Sequence, residues 1–228
     1  MMEGWKDGVL EGWKVGMIMV LLSNIPTFQP SVAAQDTVPT GFGTLRRDDV
    51  VMRMSTGTIE VQILPLDQQV IRLLAPDTYR SLIQLEQSKS RDIKDAAARG
   101  ETHNPTLVLV TFLGVVPEAR FNPEDLNITS RGRLFRPVGI VPLSPTWSSY
   151  QLDARQQAVA IYLYDPGISV REQLTVSYQG MSSEGWSRSL RLLDQERARV
   201  KARAQLEARP DSGGLSSTAH PRNPHTPR

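Results

Sequence analysis

The residues in this chain that could do chemistry are few. Its three histidines are His103, His220 and His225, and it has no cysteine. Nucleophilic catalysis of the Ser-His-Asp kind needs a base oriented by a carboxylate and set beside a nucleophile. His103 follows Gly100-Glu101-Thr102 with no G-x-S-x-G elbow anywhere near it, so it reads as a solvated loop histidine. Two acid pairs, Asp48-Asp49 and Glu124-Asp125, hold the residue type used in glycoside hydrolysis and calcium binding. Neither sits in a D-x-D-x-D-G run, and acids that form turns at strand ends are the simpler reading. The segment Thr40-Gly41-Phe42-Gly43-Thr44 lacks the G-x-x-x-x-G-K spacing of a phosphate loop. Without cysteine there is no disulfide framework, thiolate metal site, Cys nucleophile or lipidated lipobox. The expectation is therefore no enzyme, no cofactor and no metal. A hydrolase with an unrecognised site is the alternative, and it requires a deep polar pocket around His103 or the Glu124-Asp125 loop. Asn127-Ile128-Thr129 fits the glycosylation sequon, but it falls in an expected strand and gives no ground for a sugar.

Contact surfaces are the remaining candidates. Residues 188–209 hold seven basic and three acidic residues on an expected helix over 186–208. Trp186, Leu190, Leu193, Val200 and Ala204 lie near one stripe of it, interrupted by Arg197. Arg188, Arg191, Arg199 and Lys201 are the candidates for an anionic partner or a membrane surface. The plainer reading is a solvated face on a helix that packs on its own domain or on a second copy, and a partly disordered arm is the third. Trp147 and Tyr150, in a long loop, are candidates for a partner-binding patch, or else plug one end of the domain. The net charge of +2 is too small to imply nucleic acid.

These residues depend on a scaffold of strands. Residues 50–54 and 58–64 read as a hairpin around Ser55-Thr56-Gly57, and residues 70–74 as the start of a short strand. From Pro76 the period turns helical, with Asp77 or Thr78 as cap and Gly100 as stop, giving an insertion over about 77–99. Residues 106–113 are apolar on both faces and read as a core strand. A hairpin is expected over 126–143; a two-residue Arg131-Gly132 turn, the favoured reading, sets Ile128 opposite Phe135, and a three-residue turn sets it opposite Leu134. Pro137 and Pro142 confine the return strand to an edge. Residues 158–164 read as a central strand covered on both sides, whereas 174–178 alternate and should be half wet.

At the N-terminus, an apolar run over 15–22 follows Lys14 and precedes Ser31-Val32-Ala33-Ala34-Gln35. That is the pattern of an export signal over 1–34, cleaved after Ala34, although Glu3, Asp7 and Glu11 are unusual before it. The alternatives are an anchor through residues 15–25 and a buried helix. Residues 35–47 read as a linker, 48–180 as the domain, and 210–228 as a disordered tail.

About seven short strands with turns between them suggest an immunoglobulin-like antiparallel β-sandwich, mostly β. The segments Phe121-Asn122-Pro123-Glu124-Asp125-Leu126, Ser130-Arg131-Gly132-Arg133-Leu134-Phe135 and 156–164 resemble the telokin-like, immunoglobulin-type domains of secreted bacterial proteins. The resemblance covers residues 106–179. It implies a non-enzymatic cell-envelope or secreted module with no catalytic residues to carry over. The expected function is thus an exported, periplasmic or extracellular, structural or interaction module. Its partner would be an unknown protein, or a second copy through the C-terminal helix. A membrane-tethered assembly subunit is the alternative.

Overall fold

The structure is a computed structural model that describes residues 38–208. The expected signal or anchor, the start of the linker and the expected tail lie outside the described residues. The elements run in the order α1 (Arg47–Val50), β1 (Met52–Ser55), β2 (Ile59–Pro65), α2 (Gln68–Ile71), α3 (Pro76–Ser88), α4 (Ser90–Arg99), β3 (Thr106–Gly114) and β4 (Ala119–Arg120). They continue with β5 (Asn127–Ser130), β6 (Arg133–Phe135), β7 (Pro137–Pro142), β8 (Gln151–Leu152), β9 (Gln157–Tyr164), β10 (Leu174–Tyr178), β11 (Met181–Ser183) and α5 (Trp186–Glu207). One sheet has the order β1-β2-β3-β9-β7, a second β11-β10-β5-β6, and β4 pairs with β8. All these pairings are antiparallel. Helices hold about as many residues as strands, so the expectation of a mostly β chain is corrected to a mixed one: antiparallel sheets, a helical segment in mid-chain and a long C-terminal helix.

Successive side chains of a strand point to opposite faces. The registers Val61↔Phe112, Val110↔Ala160 and Val108↔Tyr162 therefore put these residues on one face of the larger sheet. That face meets the smaller sheet, where the Phe112 and Tyr178 rings lie 5.5 Å apart. The opposite face carries Leu109, Ile161 and Leu163, all buried, and α4 packs on it against β7 and β9. β9 is thus covered on both sides, as its apolar run foretold. β10 alternates buried and half-buried residues, and its buried Leu174, Val176 and Tyr178 face the core.

The hairpin of β5 and β6 has the two-residue turn: Ile128 pairs with Phe135. Arg131 and Gly132 both have positive φ, 52° and 72°, the twist that matches a right-handed hairpin. The expected hairpin over 126–143 is corrected beyond that point, because the chain leaves the smaller sheet at Arg136 and enters the larger one as β7, beside β9. The two prolines of β7 sit, as expected, on an edge strand.

Residues 70–74 are not a strand. Val70, Ile71, Leu73 and Leu74 are all buried at spacings of one, three and four, a helical pattern, and the Asp67 carboxylate caps α2 by accepting the Gln69 N–H at 2.7 Å. Helix α3 is capped two to three residues earlier than expected, at Ala75 instead of Asp77 or Thr78, with Pro76 opening the helix. Gly100 does close α4, but a left-handed cap is not what requires glycine there, since its φ is −84°. A Cβ would sit 2.4 Å from the Val138 carbonyl oxygen, so only glycine lets the helix end approach β7.

Residues 38–46, read as linker, are built into the domain. Val38 is buried, Leu45 donates its N–H to the Leu73 carbonyl at 3.1 Å, and Ala75 donates back to the Leu45 carbonyl at 2.9 Å. Helix α5 buries Trp186, Ser189, Leu193, Glu196 and Val200, a repeat of three and four that sets its inner stripe. Among the described residues no helix is long and apolar enough to cross a membrane.

Candidate functional site

Three tyrosines on the facing strands converge on one short segment of backbone. Tyr162 donates its hydroxyl to the Pro123 carbonyl at 2.9 Å, and Tyr164 donates to the Leu126 carbonyl at 3.1 Å. Tyr178 accepts the Asn122 N–H at 3.1 Å. Between these points, residues Pro123–Asp125 form a single 3₁₀ turn, opened by the Asn122 side chain, which accepts the Glu124 N–H at 3.3 Å. Each phenol satisfies a backbone group that burial would otherwise leave unpaired. Burial pushes the Tyr162 and Tyr164 hydroxyls far above the ordinary tyrosine value. It raises Tyr178 as well, against the opposing pull of the Asn122 amide. All three stay neutral under ordinary conditions and act as fixed hydrogen-bonding posts.

The segment they hold forms one wall of a groove whose other wall is the edge strand β7. A cleft of about 610 Å³ lies between Glu124, Asp125 and Asn127 on one side and residues 136–140 on the other. A second, of about 670 Å³, is bounded by Phe121, Pro123, Glu124, Ile140, Pro142, Trp147 and Tyr150. Glu124 and Ile140 belong to both, so the two meet there. The first is polar: Glu124, Asp125 and Arg136 make no ion pair among the described residues. The buried Asn127 Oδ1 has no hydrogen-bond partner among the described residues, while the Asn127 Nδ2 donates to the Asp125 carbonyl at 3.1 Å. The second is aromatic. Tyr150 is 53% exposed at its mouth, with its ring 6.0 Å from Phe121. Its backbone is held left-handed at φ 53°, which costs a non-glycine residue about 1–2 kcal/mol. The Phe121 N–H, donating to the Tyr150 carbonyl at 3.0 Å, helps to fix that conformation.

The two residues singled out in the loop of residues 144–155 therefore have different fates. Trp147 is buried, with its ring 5.4 Å from Phe121, 5.8 Å from Phe112 and 6.0 Å from Tyr162. It forms the floor of the aromatic cleft, and Tyr150 forms its lip. Trp186 is fully buried and donates its indole N–H to the Val170 carbonyl at 3.1 Å. Arg188, Arg191 and Arg199 are exposed and Lys201 is half-buried. Arg199 lies 3.8 Å from the Glu196 carboxylate.

His103 and the Glu124-Asp125 pair are not brought together. His103 is exposed in a separate depression of about 650 Å³ beside α4, with Glu101, Thr102 and Asn104. Asp48 pairs with Arg53 at 2.7 Å and Asp49 accepts the Arg46 N–H at 2.7 Å, so both acids serve local structure. No group of three or more His, Asp or Glu residues among the described residues is arranged to hold a metal.

One polar centre escaped the sequence reading. Glu196, only 1% exposed, accepts the Thr44 N–H at 2.9 Å and the Thr44 hydroxyl at 2.8 Å, and the Arg203 guanidinium lies 2.7 Å away. Arg203 also donates to the Phe42 carbonyl. Burial pushes the carboxyl up, but the hydrogen bonds from Arg203 and Thr44 and the Arg203 charge outweigh it and hold the group below the usual glutamate range. The cluster clasps residues 42–44 to α5. Its one legible sign is spacing: Glu196 falls in phase with Trp186, Leu193 and Val200.

No protein-family model matches the chain, and no curated protein or solved structure matches it significantly. The functional reading therefore rests on the geometry.

Proposed function

We propose that the chain is an exported, non-enzymatic interaction module of the bacterial cell envelope, with an immunoglobulin-like antiparallel sandwich as its scaffold. The sandwich reading is supported by two antiparallel sheets that meet through Phe112 and Tyr178 and by the tyrosine tethers between strands and a crossing segment. Export is supported by the apolar run over 15–22 and the small-residue site before Gln35. The observation that carries the interaction role is the groove between β7 and residues 121–127. It combines one rigid wall, one free strand edge, unpaired charge and an exposed aromatic lip. Ligand-binding sites are commonly built in this way, as a concave frame with a few convergent polar groups.

The test is site-specific photo-cross-linking in intact cells, with a benzophenone side chain placed at Tyr150 and, separately, at Arg191 of α5. The module reading expects a discrete adduct with another protein from position 150, lost when Glu124 and Asp125 are neutralised. Adducts only from position 191, or only with a second copy, would replace it with self-association or surface contact through α5. The mass of the mature N-terminus separates release from tethering. Gln35 as first residue supports export by cleavage, and a retained Met1 or Met17 supports the membrane-tethered assembly subunit.

A further inference from the structure

We infer that the groove takes a short extended peptide bearing a lysine or arginine, which adds to the outer edge of β7 at Ile140. The inference rests on the interaction reading above and names the occupant. Among the described residues β7 is the last strand of its sheet, with β9 as its one hydrogen-bonded neighbour. In an antiparallel ladder the residues alternate between pairs that exchange both backbone bonds and pairs that exchange none. Leu143 donates its N–H to the Val159 carbonyl at 2.8 Å, so the bonded positions recur at Val141, opposite Ile161. Ile140, opposite Tyr162, belongs to the other set. Its N–H and C=O point outward, at the residue where the two clefts meet.

A free edge usually invites indiscriminate pairing, and prolines are a common means of blunting one. Pro137 and Pro142 offer no N–H, which leaves Ile140 as the central two-point pairing position and fixes the register of whatever docks. From Arg136 to Pro142 the strand extends about 20 Å, at about 3.3 Å per residue. The occupant is thus an extended segment of about six residues. Its chemistry follows from the opposite wall. Glu124 lies beside Ile140 and next to Asp125, and neither carboxylate is in an ion pair among the described residues, so a cation on the occupant is complementary. Toward Pro142, the Trp147 floor and Tyr150 lip receive an apolar or aromatic side chain. Backbone pairing supplies affinity and the flanking pockets supply selectivity, the division of labour of strand addition.

The experiment pans a phage-displayed library of random dodecapeptides on the immobilised full chain, then measures a labelled synthetic winner by fluorescence anisotropy. The expected winners carry Lys or Arg at a fixed spacing from an apolar or aromatic residue. Glu124→Gln with Asp125→Asn should weaken binding at least 10-fold without changing the melting temperature. Scanning N-methylation along the winner should find one amide, or two at alternate positions, whose methylation weakens binding at least 10-fold, with no change to the protein. Ile140→Pro should do the same from the other side. Winners that depend on the cleft acids but tolerate N-methylation throughout would overturn strand addition while leaving the interaction reading intact. Acid-rich winners sensitive to Arg136→Gln would overturn the cationic occupant in the same way. Winners indifferent to every cleft variant would overturn both readings, and a library that yields no winner would overturn the peptide occupant.

Discussion

Removing one hydroxyl, by Tyr162→Phe, tests how firmly the groove wall is held. The phenol donates to the Pro123 carbonyl at 2.9 Å, and both residues are buried. The ring itself, 6.0 Å from Trp147 and 6.2 Å from Tyr164, keeps its packing in phenylalanine. The loss is therefore that of a buried acceptor left without a donor, about 1–3 kcal/mol. For a domain of this size that is a fall in melting temperature of about 3–9 °C. Urea unfolding should show a lower midpoint with an unchanged slope, because the surface exposed on unfolding is the same. Alkaline pH supplies an independent reading. Burial raises the Tyr162 and Tyr164 hydroxyls far above the ordinary value near 10. The unfolded chain ionises there while the folded one does not. Their stabilisation is complete well below pH 10 and is lost as pH rises, by about 1 kcal/mol per tyrosine between pH 10 and 11 and by about 1.4 kcal/mol per further unit. Tyr162→Phe should remove one tyrosine's share of that slope. Equal stability at pH 7 and an equal slope above pH 10 would refute the claim that these phenols are buried, bonded posts.

Other perturbations probe the frame around the groove. Glu196→Gln should cost about 1–2 kcal/mol at pH 7, the lower end for charge-assisted bonds because Arg203 is partly exposed. Since the folded carboxyl lies below the ordinary glutamate value near 4.3, the wild-type advantage should be complete above that pH and vanish as pH falls through the folded value, read by urea melts from pH 6 to 3. Gly100→Ala should cost at least about 2 kcal/mol, because its Cβ would meet the Val138 carbonyl oxygen at 2.4 Å. Gly132→Ala, with φ 72° and open space around it, should cost about 1 kcal/mol in the same melts, from backbone conformation alone. Trp186→Ala should lower stability by about 3–5 kcal/mol, through a lost buried ring and the freed Val170 carbonyl. An unchanged melt would show α5 to be an independent arm.

The strands that alternate or run apolar were legible, and so were the helical insertion and the C-terminal helix, because burial writes its period directly into the sequence. The turn after Ser130 was legible in part: Gly132 marked it, but two registers remained, and the positive φ of Arg131 that selects the two-residue turn is not written in an arginine. The departure of the chain at Arg136 from one sheet to the other was not, because residues 126–143 show the same alternation whichever strand they pair with. Nor was the docking of residues 38–46, whose threonine, glycine and proline read as linker. What holds them is Glu196, which lies more than 150 residues further along the chain. The groove was half visible. Glu124, Asp125 and Tyr150 were each noticed, but the tyrosines that place this wall are separated from it by 38 to 56 residues, and each reads in sequence as an ordinary core aromatic.

The backbone amide of Ile140 reports on the groove most directly. Measured by hydrogen exchange resolved to single residues, it should exchange rapidly in the free protein, unlike the neighbouring amide of Val141, and become protected when a groove-selected peptide is bound. Protection that arises instead along the exposed face of α5, with Ile140 unaltered, would contradict the assignment of this edge as the binding surface.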